Sequence, residues 1–179
     1  HVEEQQSVDG EGGDADVIAI AQDAGVVCIV VIIVRGGRVL GTKDYFPRYS
    51  LEQTEGELLA SFLGQYYFGG DTRREIPRDI LVPVAVDGQE LLSQALSEAA
   101  RRETRIRGNV RGERRRWLEL AMTNARQTLL THLASKETVY RRLLALRDLL
   151  ELTETPSRME CFDISHSHGE NTVASCVVF

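Results

Sequence analysis

Val17-Ile-Ala-Ile-Ala21-Gln-Asp-Ala-Gly25-Val-Val-Cys-Ile-Val-Val-Ile-Ile-Val34-Arg-Gly-Gly-Arg38 is the stretch on which the fold turns. Val17 to Ala21 reads as a short strand and Gln22-Asp23-Ala24-Gly25 as a turn. Val26 to Val34 is a second strand, apolar at every position. A strand sends alternate side chains to opposite faces, so an unbroken apolar run has to be covered above and below. It therefore belongs inside a sheet with helices packed on it. Arg35-Gly36-Gly37-Arg38 is a tight hairpin turn, because paired glycines supply the positive φ that such a turn requires. Val39 to Phe46 returns antiparallel until Pro47 stops it.

Outward from this meander, Thr54-Glu-Gly-Glu57 has the spacing of a capping box. Leu58, Leu59, Phe62, Leu63 and Tyr66 then recur at helical intervals until Gly69-Gly70. Ile80 to Val86 reads as a strand whose Pro83 implies an edge-like place or a bulge. Leu91, Leu92, Ala95, Leu96 and Ala99 mark a second amphipathic helix. Thr104 to Val110 is a weak strand, diluted by Arg105, Arg107 and Gly108. A helix is expected from about Glu113 to Ala134, burying Trp117, Leu120, Ala121, Asn124 and Thr128. Another is expected from about Glu137 to Leu152, with Val139, Leu143, Leu146 and Leu150 on one side. Pro156 marks a link to two final strands. The order β-β-β-α-β-α-β-α is that of an α/β fold of RNase H type, a mixed sheet with helices on both faces, followed here by an isolated β-hairpin.

A chain of 179 residues, 42% hydrophobic and 27% charged, is long enough for one domain of ordinary size and a remnant. It shows no apolar run of membrane-spanning length and no basic-then-apolar leader, so a cytoplasmic location is expected. Cys28, Cys161 and Cys176 are odd in number, lack C-x-x-C spacing and fall in strands, which points to buried reduced thiols. The net charge of −6 conceals segregation. His1 to Asp23 carries seven acids and no Lys or Arg, whereas Arg101 to Arg116 holds eight arginines against two glutamates. A polyanion would feel the second segment more than the average. His1 to Gly13 reads as the end of a helix and a linker.

The final stretch, Met159-Glu-Cys-Phe-Asp-Ile-Ser-His-Ser-His-Gly-Glu-Asn-Thr-Val-Ala-Ser-Cys-Val-Val-Phe179, reads as strand, turn at His168-Gly169-Glu170-Asn171, and strand. Alternation places Cys161, Asp163 and Ser165 on one face and Phe162 and Ile164 on the other. A carboxylate inside a strand is a common start for a metal site in phosphodiester chemistry, and equally a satisfied polar group at a sheet end. His166 and His168 alternate away from Asp163 and read as turn or surface residues.

Glu160-Cys-Phe-Asp-Ile-Ser-His166, Gly169-Glu170 and Thr172 to Phe179 together resemble the opening of the C-terminal nuclease domain of the UvrC family, the incision subunit of bacterial nucleotide excision repair. The resemblance runs back through Tyr45-Phe46-Pro47, Phe62-Leu63-Gly64-Gln65-Tyr66-Tyr67, Ile76-Pro77, Ile80-Leu81 and Arg111-Gly-Glu-Arg114. It departs at Val110, where the family commonly has proline. It implies a nuclease domain of RNase H fold in which Asp163 is the first carboxylate for Mg2+ or Mn2+, acting on damaged double-stranded DNA. It also implies UvrB as partner of the full-length protein, through a helical hairpin preceding residue 1, so that UvrB binding is not credited to this chain. The second carboxylate and a later catalytic histidine of the family fall beyond Phe179. The expected organisation is residues 1–13 as linker, 14–152 as an RNase H-like domain, and 153–179 as a link and the nuclease domain's first hairpin.

Aligning the two hairpins on Gly25 and Gly169 puts Ala19 where the second has Asp163, and Val17 to Ala21 contains no acid. The middle domain is therefore expected to lack a metal ligand and to serve as a non-catalytic platform. Arg105, Arg107, Arg111, Arg114, Arg115 and Arg116 are the candidate nucleic-acid contacts, since guanidinium groups bind phosphates bidentately. An acidic protein face is an alternative partner. So is no partner at all, with the arginines paired to Glu103, Glu113 and Glu119.

Overall fold

The structure is a computed structural model that describes residues 13–50, 52–69, 75–166 and 172–178. The chain divides into two compact units, one running to His132 and the other beginning at Leu133. Most of the linker expected over residues 1–13, Gly70 and the turn at His168 to Asn171 lie outside the described residues.

The first unit is built on a five-stranded mixed sheet. Strands β1 (Ala15–Asp23), β2 (Val26–Arg35) and β3 (Arg38–Tyr45) form the antiparallel meander. Helix α1 (Glu55–Phe68) follows, then β4 (Asp79–Leu81), α2 (Gln89–Ala100), β5 (Arg105–Arg107) and α3 (Glu113–Leu149). The sheet order is β3-β2-β1-β4-β5, with β4 and β5 parallel to β1. This is the expected mixed sheet of RNase H type. Gly36 and Gly37 both have positive φ, 56° and 76°, as the two-residue hairpin between β2 and β3 requires.

Strand β2 is buried on both faces, from Val27 through Ile32. On one face Ile18, Val27, Ile29 and Val31 pack with Leu59, Phe62, Leu63 and Tyr66 of α1. A fully buried side chain such as Leu59 contributes roughly 1.5–3 kcal/mol relative to an exposed one. Helix α1 begins with a complete capping box: the Glu57 amide donates to Thr54 Oγ1 and the Thr54 amide to Glu57 Oε2. Gly56, in its first turn, sits so close to the Ala85 carbonyl and Asp87 that a Cβ would lie 2.8 Å and 2.5 Å from their oxygens.

The opposite sheet face carries Val17, Ala19, Cys28, Val30 and Ile32, all buried. The first part of α3 crosses it, burying Trp117, Leu118, Ala121, Ala125 and Leu129. Arg114 ties this helix to β4, and the His132 ring stacks 4.0 Å from that of Phe46, just past β3. Leu120, expected in the core, is exposed, and Asn124 and Thr128 are half-buried. The apolar stripe runs one position later, through Leu118, Ala125 and Leu129.

Two element lengths differ from expectation. Strand β4 stops at Leu81 instead of running to Val86, because Pro83 has no amide to extend the ladder. The two helices expected after Glu113 are one, of 37 residues. Ala134-Ser-Lys-Glu137 contains neither Gly nor Pro, so nothing in it breaks the helical hydrogen-bond chain.

The outer edge of β5 is occupied by side chains of α2. Gln89 Nε2 donates to the Ile106 carbonyl at 3.1 Å, the Thr104 amide donates to Ser97 Oγ at 2.9 Å, and Ser97 Oγ also lies 3.2 Å from the Thr104 carbonyl.

In the second unit, β6 (Glu160–His166) and β7 (Thr172–Val178) form a two-stranded antiparallel sheet. Phe162 pairs with Cys176, Cys161 with Val177 and Asp163 with Ser175. Cys161 and Cys176 are exposed, contrary to the expectation of three buried thiols; only Cys28 is buried. A sheet of two strands has no neighbouring layer of its own with which to bury either face.

Candidate functional site

Three features have chemical potential: the acid of the hairpin, two buried acids in the first unit, and the arginines between β5 and α3. Asp163 stands on β6 opposite Ser175 and is exposed. Among the described residues no group of three or more His, Cys, Asp or Glu converges in a way that could hold a metal ion. A divalent cation of the magnesium type takes six oxygen ligands, of which Asp163 by itself could offer no more than one or two. The side chain of His166 and all of His168 lie outside the described residues.

In the first unit Ala19 is fully buried opposite Val30 and offers only a methyl group. The strand does contain acids, which the reading of Val17 to Ala21 missed because β1 extends two residues further at each end: an exposed Asp23 closes it, and Asp16 lies near its start. Asp16 is buried on the α1 face. Its Oδ1 accepts from Arg35 Nη1 at 2.8 Å and its Oδ2 from the Tyr67 hydroxyl at 2.6 Å. Arg35 also donates to the Ala15 and Val34 carbonyls, which fixes the guanidinium at the start of β1 and the end of β2. Burial pushes the Asp16 carboxyl above its ordinary range, against the pull of Tyr67 and Arg35. Burial and the adjoining carboxylate together push the Tyr67 hydroxyl well up. With two donors already committed to it, Asp16 reads as a structural tie between β1, β2 and α1.

Asp79, the other buried acid, opens β4 in register with Ala15 and so faces α3. Its Oδ1 forms an ion pair with Arg107 Nε at 2.9 Å and its Oδ2 with Arg114 Nη2 at 2.7 Å. Two of the six candidate arginines are thus tied inward, joining β5 and the first turn of α3 to β4. A carboxylate with its side chain only 11% exposed needs cations, and these two supply them. Nothing local in the sequence marks this pairing. The only signal is an acid directly before an apolar strand, Asp79-Ile80-Leu81, in a chain with a later excess of arginine.

The remaining four divide again. Arg105 pairs with Glu103 at 2.6 Å and Arg115 with Glu119 at 2.9 Å, both pairs well exposed. Glu103 and Glu119 therefore take the roles expected of them, while Glu113 buries an oxygen, Oε1, that has no partner among the described residues. Arg111 and Arg116 are exposed and make no ion pair among the described residues. Beside this loop a cleft of about 300 Å3 is lined wholly by charged side chains: Arg78, Asp79, Arg102, Glu103, Arg105 and Arg107. Its surplus of arginine is what a phosphate or carboxylate would find there.

Comparison with known proteins places these features in a family. Residues 14–132 match the family described as UvrC Ribonuclease H-like domain, and residues 147–179 match the UvrC RNAse H endonuclease domain. The chain is 48% identical over 178 residues to UvrABC system protein C of Pseudomonas aeruginosa strain LESB58. The corresponding proteins of Chromohalobacter salexigens and Pectobacterium atrosepticum are 47% and 46% identical over the same length. Each match covers 99% of this chain and 29% of the relative, so the chain spans under a third of the length of these proteins.

Proposed function

We propose, from the premise that this chain belongs to the UvrC family, that it is a segment of the endonuclease subunit that incises DNA beside lesions in nucleotide excision repair. Within that subunit the sheet of residues 15–107 and the start of α3 form a non-catalytic platform of RNase H type. The hairpin β6–β7 contributes Asp163 as the first of the carboxylates that hold Mg2+ or Mn2+ in the completed nuclease domain. When bound, such an ion polarises a scissile phosphodiester and activates water. The arginines between β5 and α3 give the platform a sequence-independent contact with the backbone of damaged double-stranded DNA. UvrB is the partner of the full-length protein, whose setting is the cytoplasm; among the described residues no helix is long and apolar enough to cross a membrane.

One observation carries the division of labour. The same hairpin pattern occurs twice, with an exposed Asp163 in one copy and a buried Ala19 in the other, and the two buried acids near the first copy, Asp16 and Asp79, are held by Arg35, Arg107 and Arg114. A buried carboxylate already paired closely with arginine is a poor ligand, because a metal ion would have to displace the guanidinium.

The test uses the longer family protein that contains this segment, assayed on intact and on nicked damaged duplex with its partners. Asp163→Asn abolishes incision and leaves DNA binding in place, whereas a folded Asp16→Asn retains incision. Incision that survives Asp163→Asn, or is lost in a folded Asp16→Asn, refutes the assignment.

A further inference from the structure

We infer that Asp79 partitions the arginine cluster, withholding Arg107 and Arg114 from a phosphodiester backbone and leaving Arg78, Arg111 and Arg116 to make the contact. The inference rests on the reading that this end of the unit meets nucleic acid, and it names the residues and the group that controls them.

The structure sorts these arginines by the strength of their present commitments. Arg107 and Arg114 share one carboxylate, at 2.9 Å and 2.7 Å, in a place where the acid is nearly sealed from water. Pulling either away leaves the buried Asp79 carboxylate with one cation instead of two, a larger loss than opening an exposed pair. Arg105 and Arg115 sit in exposed pairs, which contribute little and yield to a competing anion. Arg78, Arg111 and Arg116 are exposed and have no carboxylate to leave among the described residues.

Placement agrees with this sorting. Arg78 lines the charged cleft together with Asp79, Arg105 and Arg107. Arg111 lies on the connection between Arg107 and Arg114, both anchored on Asp79, so its side chain is presented from a loop pinned at both ends. Arg116 follows in the first turn of α3. Cations there oppose the helix's positive end, a local cost that a bound phosphate removes. Asp79 is thus a positioning residue: it touches no phosphate, yet it lowers the number of cations on offer and holds the loop that carries the rest.

Binding of a short fluorescein-labelled duplex of arbitrary sequence is measured by anisotropy across a salt series, with polyglutamate as competitor and thermal melting as the check on folding. Each phosphate contact contributes about 0.9 to the slope of log affinity against log salt. The variant Arg78→Ala/Arg111→Ala/Arg116→Ala flattens the slope by about 2.7, and Arg107→Ala leaves it unchanged. Asp79→Asn, if folded, steepens it by up to about 1.8, because two arginines are released. An unchanged slope in the triple variant, a flattened one in Arg107→Ala, or weaker binding by a folded Asp79→Asn overturns the partition while leaving nucleic-acid binding intact. Failure of the unaltered chain to bind duplex, or displacement of duplex by polyglutamate at equal charge, overturns the underlying reading and the partition with it.

Discussion

Changing Tyr67 to Phe removes one oxygen and no ring, and the structure says what that oxygen does. The hydroxyl donates at 2.6 Å to Asp16, whose side chain is only 2% exposed, so no water is at hand to replace it. A hydrogen bond to a charged group contributes about 1.5–3 kcal/mol. In a chain of this size 1 kcal/mol moves the melting temperature by about 2–4 °C, so Tyr67→Phe lowers it by about 3–12 °C. Arg35→Met is more severe, because it strips from a buried carboxylate the one cation paired with it among the described residues, at a cost of about 3–5 kcal/mol. The double variant Asp16→Asn/Arg35→Met is then more stable than Arg35→Met alone, since the charge that needed the arginine is gone. Urea unfolding followed by fluorescence of Trp117, the single tryptophan and a buried one, reports on this unit. A loss of under about 1 kcal/mol on Arg35→Met, the size of an exposed pair, refutes the claim that Asp16 ties three elements together.

The same acid sets a pH dependence. Its carboxyl is raised above the ordinary 3.8 by burial, so the folded chain holds its proton where the unfolded chain has released it. That contribution to stability is complete below the unfolded value and is lost as pH rises through the folded one. The stability of the unaltered chain relative to Asp16→Asn therefore falls as pH rises out of the ordinary carboxylate range and through the raised folded value, and a difference independent of pH contradicts it. For the thiols, Cys28 is buried and pushed up to about 11 by burial and then by Asp44, while Cys161 and Cys176 are exposed. A disulfide reagent modifies those two in the native chain and reaches Cys28 only after unfolding; rapid modification of all three shows that β2 is not sealed as described.

The fold was legible where local chemistry and global arrangement agree. The unbroken apolar run of β2, the glycine pair after it and the Thr54–Glu57 box each have one structural solution, and together they place the meander, its central strand and the first helix. Less legible was whatever depends on partners distant in sequence. Asp16 lies one turn of alternation outside the apolar run, and its partners Arg35 and Tyr67 are 19 and 51 residues away. The arginine cluster was visible as composition, but the pairing of Arg107 and Arg114 depends on Asp79, at the start of β4 and more than 25 residues earlier in the chain. The exposure of Cys161 and Cys176 follows from the number of strands in their sheet, which no residue in the hairpin encodes.

The side chains along β5 have one more consequence. Gln89 and Ser97 occupy the carbonyl and amide groups through which another extended peptide, from the same chain or a neighbouring copy, would have to zip onto this sheet. Growth on that side is closed chemically by a helix instead of by a charged or twisted border. Stripping those caps with Gln89→Ala/Ser97→Ala would expose an open seam, and self-association is the behaviour such a seam invites.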